Sequence, residues 1–286
     1  KVGQKIGDSE ASLSAPVHSS ISGEVTGIEK LYIPNGYKVD CVIIESDGLN
    51  EVDESVKPKG RLDDLTSEEI LDIVREAGIV GLGGAAFPLH SKLRVSLDAA
   101  VDTAILNGAE CEPYLTTDHR MMLEHPDRII LGLEVILKYL GLTNGYIGVE
   151  DNKGDAINVL RESLQDKDYI HVASLKTKFP QGESYRLVDS ITGRRVPLGG
   201  RTKDVQTFVT NVSTSAAVAD AIQDGKPLYE RVVTVTGSGV KEPKNLIVKI
   251  GTSIAELIAQ CGGFNGNPGK IIAGGPMTGC TQFTLD

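Results

Sequence analysis

Asp102-Thr-Ala-Ile-Leu-Asn107-Gly-Ala-Glu-Cys-Glu-Pro113 decides the architecture. Its first half is a short apolar run of the kind that forms a strand buried on both faces. Its second half puts Asn107, Glu110 and Glu112 at that strand's C-terminal end, where open α/β sheets bind ligands. Downstream, the pattern alternates. Two helical stretches, 117–124 and 126–140, are split by Pro126, and the second is stopped by Gly141. Residues 145–150 read as a strand, 153–164 as a helix and 170–174 as a third strand. Such alternation predicts a parallel sheet with crossover helices.

Upstream lies Gly78-Ile-Val-Gly81-Leu-Gly83-Gly84-Ala-Ala-Phe87-Pro88-Leu-His90-Ser-Lys92. Thr66-Ser-Glu-Glu69 is a capping box that opens a helix running to Ala77, and the glycine-rich loop follows. Glycine lets backbone N–H groups approach a ligand with no Cβ between them. Successive N–H groups form a concavity for anions, and Lys92 can add a point charge. The loop fits neither the P-loop nor the dinucleotide fingerprint. Alone it signals a phosphate-bearing ligand or a tight turn between packed elements.

Both flanks differ from this middle. Residues 1–47 show short alternating runs with Gly and Pro breaks, a β-rich unit similar to biotinyl- and lipoyl-type barrel-sandwich domains. The lysine motif of a covalent carrier is absent, so the unit reads as scaffold. Residues 48–61 read as a linker. Pro180-Gln-Gly182-Glu183-Ser184 is a second glycine-bearing turn before a helix over 185–191. Asn211 precedes an Ala-rich helix over 215–222 and suits its N-cap. A hairpin of 232–236 and 245–249, a helix over 253–261 and a strand and turn over 270–276 have the order of a β-grasp unit. The predicted domains are therefore 1–50, 61–225 and 228–286.

Composition narrows the function. The chain has 286 residues, with 39 acidic against 29 basic side chains and a net charge of -10. That balance disfavours nucleic acid, which needs a basic footprint. No apolar run is long enough to span a membrane. No signal peptide opens the chain, and the lack of an initial Met suggests a trimmed N-terminus. Cys41, Cys111, Cys261 and Cys280 are too scattered for a disulfide framework, zinc or a cluster, which fits a reducing, intracellular compartment. The five histidines show no ligand spacing and read as satisfied or surface groups, and no metal site is expected. Cys111, between two glutamates, should have a raised pKa and read as a packing residue.

Five segments in register carry a resemblance: Gly81-Leu-Gly-Gly-Ala-Ala-Phe-Pro88, Asn107-Gly-Ala-Glu-Cys-Glu-Pro113, Pro180-Gln-Gly-Glu183, Thr210-Asn-Val-Ser-Thr214 and Ala273-Gly-Gly-Pro-Met277. Together they resemble the C subunit of the Rnf ion-translocating complex, itself similar to the flavin-bearing NADH-binding subunit of respiratory complex I. The resemblance implies a central parallel-sheet FMN-binding domain between a sandwich-type N-terminal domain and a C-terminal β-grasp (SLBB-like) domain. It implies FMN held by Gly81, Gly83, Gly84, Lys92, Asn107, Glu110, Gly182, Glu183, Asn211 and Thr214. It implies NADH contacted by Phe87 and Glu112. The arginine of the relative's loop is Leu82 here, and one acid beside Glu183 is replaced by Ser184.

Further expectations follow from the resemblance. The partners are other subunits of a membrane electron-transfer complex, with the chain peripheral on the cytoplasmic face. Two 4Fe-4S clusters belong to cysteine runs that do not occur in residues 1–286, so the chain reads as a fragment ending before them. Hydride exchange between nicotinamide and flavin requires no catalytic side chain, since the protein orients two rings. Two other readings fit the same residues: a soluble flavoprotein reductase such as a cobalamin reductase, and a non-catalytic β-grasp binding module.

Overall fold

The computed structural model describes residues 1–285. At the N-terminus, β1 (Lys5–Gly7) pairs with β2 (Val17–His18), and β3 (Gly23–Tyr32) pairs with β4 (Lys38–Ser46), both antiparallel. The alternation legible in the sequence ends near Val25. The ladder instead passes an irregularity between Val25 and Gly27 and continues to Tyr32, as a bulge permits. Helix α1 (Ser67–Glu76) carries the expected capping box, with Thr66 and Glu69 bonded reciprocally. After the glycine loop comes α2 (Leu89–Asp98).

Next come β5 (Thr103–Gly108), α3 (Thr117–Glu124), α4 (Pro126–Leu140), β6 (Gly145–Glu150), α5 (Gly154–Ser163), β7 (Ile170–Leu175) and α6 (Ser184–Thr192). Then follow β8 (Thr207–Asn211) and α7 (Val212–Gln223). The four strands form one parallel sheet in the order β7-β6-β5-β8. Strand β8 is not among the elements expected from sequence. It has only five residues and passes straight into α7, which starts at Val212 rather than 215 because Asn211 caps it.

Burial on both faces makes this sheet the core. Ala104, Leu106 and Phe208 face α2, α4, α5 and α7, whereas Ile105 and Val209 pack with Leu187 and Val188 of α6. Each such side chain contributes roughly 1.5–3 kcal/mol. Helices α4 and α7 approach so closely that a Cβ on Gly132 would lie 1.8 Å from the Ser215 carbonyl oxygen.

The C-terminal part pairs β9 (Glu230–Val235) with β10 (Lys244–Lys249), adds α8 (Ile254–Gln260), and pairs β11 (Ile272–Ala273) with β12 (Cys280–Thr281). The strand and turn expected over 270–276 are present, the strand as Ile272–Ala273 and the turn at Gly274, which has a positive φ. Among the described residues, no helix is long and apolar enough to cross a membrane.

Candidate functional site

Strand β5 has β6 on one side and β8 on the other, so the chain reverses its direction of winding between β5 and β8. A crevice at the carboxyl ends of such strands is the general ligand position in open α/β sheets. Asn107 and Asn211 are register partners there.

The glycine loop closes over this point. Gly81 N–H donates to the Phe87 carbonyl, and Val80 bridges Pro88, so residues 82–86 form a tied projection. Thr214, fully buried, accepts from Leu82 N–H through Oγ1 at 2.9 Å. A Cβ on Gly83 would lie 2.7 Å from Asn211 Nδ2, so the close seating requires glycine; Gly84 faces open space. The N–H groups of Gly83, Gly84, Ala85, Ala86 and Phe87 make no hydrogen bond among the described residues. Phe87 is 43% exposed.

Helix α2 runs directly from the loop, with Lys92 in its first turn. Its Nζ lies 5.6 Å from the Phe208 ring centroid and has no carboxylate partner among the described residues. Burial pulls its pKa below the ordinary lysine value. A half-buried, unanswered cation in the helix that follows free N–H groups is an arrangement completed by an anion.

The other sequence-chosen residues meet at the same sheet edge, each with a local task. Asn107 Nδ2 donates to the Gly182 carbonyl, and its Oδ1 accepts from Ala109 N–H. A Cβ on Gly182 would lie 2.3 Å from the Ala109 carbonyl oxygen. Glu183 caps α6, accepting from Tyr185 and Arg186 N–H. Asn211 caps α7 through Ser213 and Thr214 N–H. Glu110 turns to the start of α3 and accepts from Asp118 N–H at 2.9 Å and His119 N–H at 3.3 Å. Burial, and secondarily the charge of Asp118, push its pKa up to about 7.

Glu112, expected from the resemblance to contact NADH, is bonded in this structure to the C-terminal turn. Met277 N–H donates to its Oε2 at 2.8 Å, and the Thr278 hydroxyl donates to Oε1. A Cβ on Gly275 would collide with this carboxylate at 1.9 Å, which explains the Gly-Gly-Pro-Met turn. Glu112→Ala is expected to lower stability by about 1 kcal/mol, a modest exposed charged bond, and the melting temperature by roughly 2–4 °C. Calorimetry checks this. An unchanged melting temperature would show that the turn does not depend on Glu112.

Three functional neighbours were not found from sequence. Asp118 accepts from Asn211 Nδ2 and Ser213 Oγ, both at 2.6 Å. Arg231 Nη2 donates to the Leu82 carbonyl from β9 at 2.8 Å. Lys153 Nζ is buried 4.0 Å from Glu150 Oε2. An acid in a helix's first turn usually reads as a dipole partner, and Arg231 is 149 residues from Leu82. Neither carries a local signal.

Cys111 has the raised pKa expected, but burial is the first cause, and Glu150 acts more strongly than Glu112. His18 and His90 depart from the reading of satisfied or surface groups: both are buried, and neither Nδ1 has a partner among the described residues. Burial lowers the pKa of both, which favours the neutral rings. Among the described residues, no group of three or more His, Cys, Asp or Glu side chains could hold a metal ion.

A parallel sheet with an anion cradle over its switch point defines a nucleotide-cofactor α/β protein. Comparison with known families makes this specific. Residues 74–220 match the Nuo51 FMN-binding domain, residues 1–49 the RnfC barrel sandwich hybrid domain and residues 232–281 the SLBB domain. A relative from Acetobacterium woodii, the C subunit of its Na(+)-translocating ferredoxin:NAD(+) oxidoreductase complex, is 46% identical over 285 residues. A Clostridium ljungdahlii relative, the C subunit of a proton-translocating ferredoxin:NAD(+) oxidoreductase complex, is 45% identical over 286 residues. Each match covers 100% of this chain, which spans 64% and 62% of those relatives' own lengths. The structure of an NAD+-reducing [NiFe]-hydrogenase in its H2-reduced state superposes with a TM-score of 0.64 at 19% identity. It covers 79% of this chain and 45% of the hydrogenase chain, a likeness of fold. The chain belongs to the Nuo51 FMN-binding domain family, and its flanking domains are similar to those of RnfC subunits.

Proposed function

We propose that this chain binds FMN in the glycine cradle and exchanges hydride between NAD(H) and that flavin, as the C subunit of an Rnf-type NAD:ferredoxin oxidoreductase. The observation that carries the reading is the run of five unbonded N–H groups, Gly83 to Phe87, at the switch point with half-buried Lys92 in the adjoining helix. These groups fit a phosphate-bearing cofactor. When bound, FMN would supply the two-electron acceptor for a hydride.

The chain's own residues do the positioning. Gly81, Gly83 and Gly84 shape the cradle, and Lys92 offers its charge to the phosphate. Thr214, Asn211 and Asn107 hold the loop and strand ends. Gly182 and Glu183 bring the second turn against Ala109, while Glu110 fixes the start of α3. Phe87, exposed at the loop's end, offers a face for a nicotinamide nucleotide. Glu112 serves the site indirectly by seating the C-terminal turn at the strand end.

The relatives' names support membership in a multi-subunit ion-translocating complex. We place the chain peripherally, on the cytoplasmic face, with membrane contact made through partner subunits. No cluster is assigned to residues 1–286, whose four cysteines stand apart as free thiols. The two 4Fe-4S clusters implied by the resemblance would require ligands outside these residues.

Anaerobic titration tests the function directly. FMN should bind with quenched fluorescence and more tightly than riboflavin, and NADH should bleach the bound flavin. Equal affinity for FMN and riboflavin would show that the cradle reads no phosphate. A bound FMN that NADH leaves oxidised would remove the nicotinamide half of the reading.

A further inference from the structure

We propose that Asp118 and Arg231 are positioning residues for the glycine loop, Arg231 by bonding the Leu82 carbonyl directly and Asp118 by orienting Asn211 beneath Thr214 and Gly83, so that the loop's geometry is tied to the seating of the C-terminal domain. The functional consequence rests on the cofactor reading given above.

The Leu82 peptide groups are held twice. The N–H goes to Thr214 Oγ1 of α7, and the carbonyl oxygen accepts from Arg231 Nη2 of β9. Thr214 is set by Asn211, whose Oδ1 caps α7 at Ser213 and Thr214. Asn211 is in turn oriented by Asp118, which accepts from its Nδ2 and from Ser213 Oγ, both at 2.6 Å. Turning the Asn211 amide over would sacrifice both the helix cap and the bond to Asp118, so the two together fix its orientation. Gly83 lies against this same amide, with no room for a Cβ. The loop therefore rests on a side chain that Asp118 holds still.

Arg231 closes the circuit electrostatically. Asp118 is the charge that opposes the effect of its burial, and Arg231 is the leading positive charge acting on Asp118. Lys153 is a second cation near Asp118, and Glu110 the neighbouring acid. The C-terminal domain is seated alongside: Thr234 Oγ1 meets Thr116 N–H at 3.2 Å and the Thr117 hydroxyl at 2.9 Å, just before Asp118. Arg231 thus reaches the loop only while β9 is docked on the start of α3.

The test uses Arg231→Met, Arg231→Lys and Asp118→Asn. In Arg231→Met, exchange of the Leu82 amide should rise about tenfold in ligand-free protein, with the melting temperature retained, and FMN should bind about tenfold more weakly. These sizes suit one charged hydrogen bond. Arg231→Lys keeps a cationic donor and should recover most of both losses. Asp118→Asn sets its amide against that of Asn211 and should loosen Leu82 likewise. The Asp118→Asn/Arg231→Met pair should lose less than the product of the single losses, because both act on the hold of one residue, Leu82. Unchanged Leu82 exchange in Arg231→Met would overturn the inference, as would single losses that multiply in the double variant. If the wild-type chain bound no FMN while Arg231→Met still freed Leu82, the cofactor reading would fall and the positioning role would stand.

Discussion

Lys92→Met is expected to stabilise the ligand-free protein while weakening its affinity for FMN by roughly 100-fold, the effect of losing a charged partner to phosphate. The two signs have one cause. In the ligand-free chain Lys92 is half-buried, with its ammonium group near the Phe208 ring and no carboxylate partner among the described residues, and desolvation lowers its pKa. Removing an unanswered charge of this kind relieves a desolvation cost, and methionine nearly preserves the apolar stem. Restored stability of about 1 kcal/mol is the expected scale. The bound state loses its point charge toward the phosphate. Urea unfolding and FMN titration on the same samples measure both halves. A destabilised variant with wild-type FMN affinity would make Lys92 an ordinary packing residue.

Such opposed signs are common where a site is held in readiness for a ligand. They also separate Lys92 from Thr214 and Asn211, which already have partners in the ligand-free chain. Substituting these two should weaken fold and ligand together. The distinction matters because motif matching alone gives all three residues the same role.

What could be read in advance follows the range of the interactions. The capping box at Thr66, the split at Pro126 and the left-handed Gly141 are local devices, and the structure has them at those positions. The buried run over β5 exposed the parallel sheet because a strand covered on both faces needs no alternation. Strand β8 was hidden because Thr207-Phe-Val-Thr-Asn211 is short and its last residue doubles as a helix cap. At the site, the motifs fall together at one sheet edge, but they do not give the direction of each side chain. Glu112 illustrates this: its partners Met277 and Thr278 lie 165 and 166 residues away. Asp118 and Arg231 depend on contacts of the same kind and left no periodicity or spacing to read.

Glu110→Gln should flatten the pH dependence of stability. Burial, then the charge of Asp118, raise the folded-state pKa of Glu110 from 4.5 to about 7. A raised acid makes folding take up a proton between those two values. Below pH 4.5 the carboxyl is protonated in both states, and its contribution is fully favourable. As the pH rises through 7 that contribution is lost, by about 3 kcal/mol at 1.36 kcal/mol per pH unit. Glutamine cannot ionise and escapes the loss. The variant should therefore gain on the wild-type chain by about 3 kcal/mol between about pH 4.5 and pH 8. Any constant cost of a poorer cap on Asp118 and His119 N–H shifts both ends equally and leaves the slope intact. Urea unfolding of both proteins at several pH values reads the slope. Parallel stability curves would mean that Glu110 keeps an ordinary pKa and is solvated at the start of α3. The predicted divergence would establish a carboxyl group that exchanges its proton near neutrality, beside the Asp118 that orients the glycine loop's support.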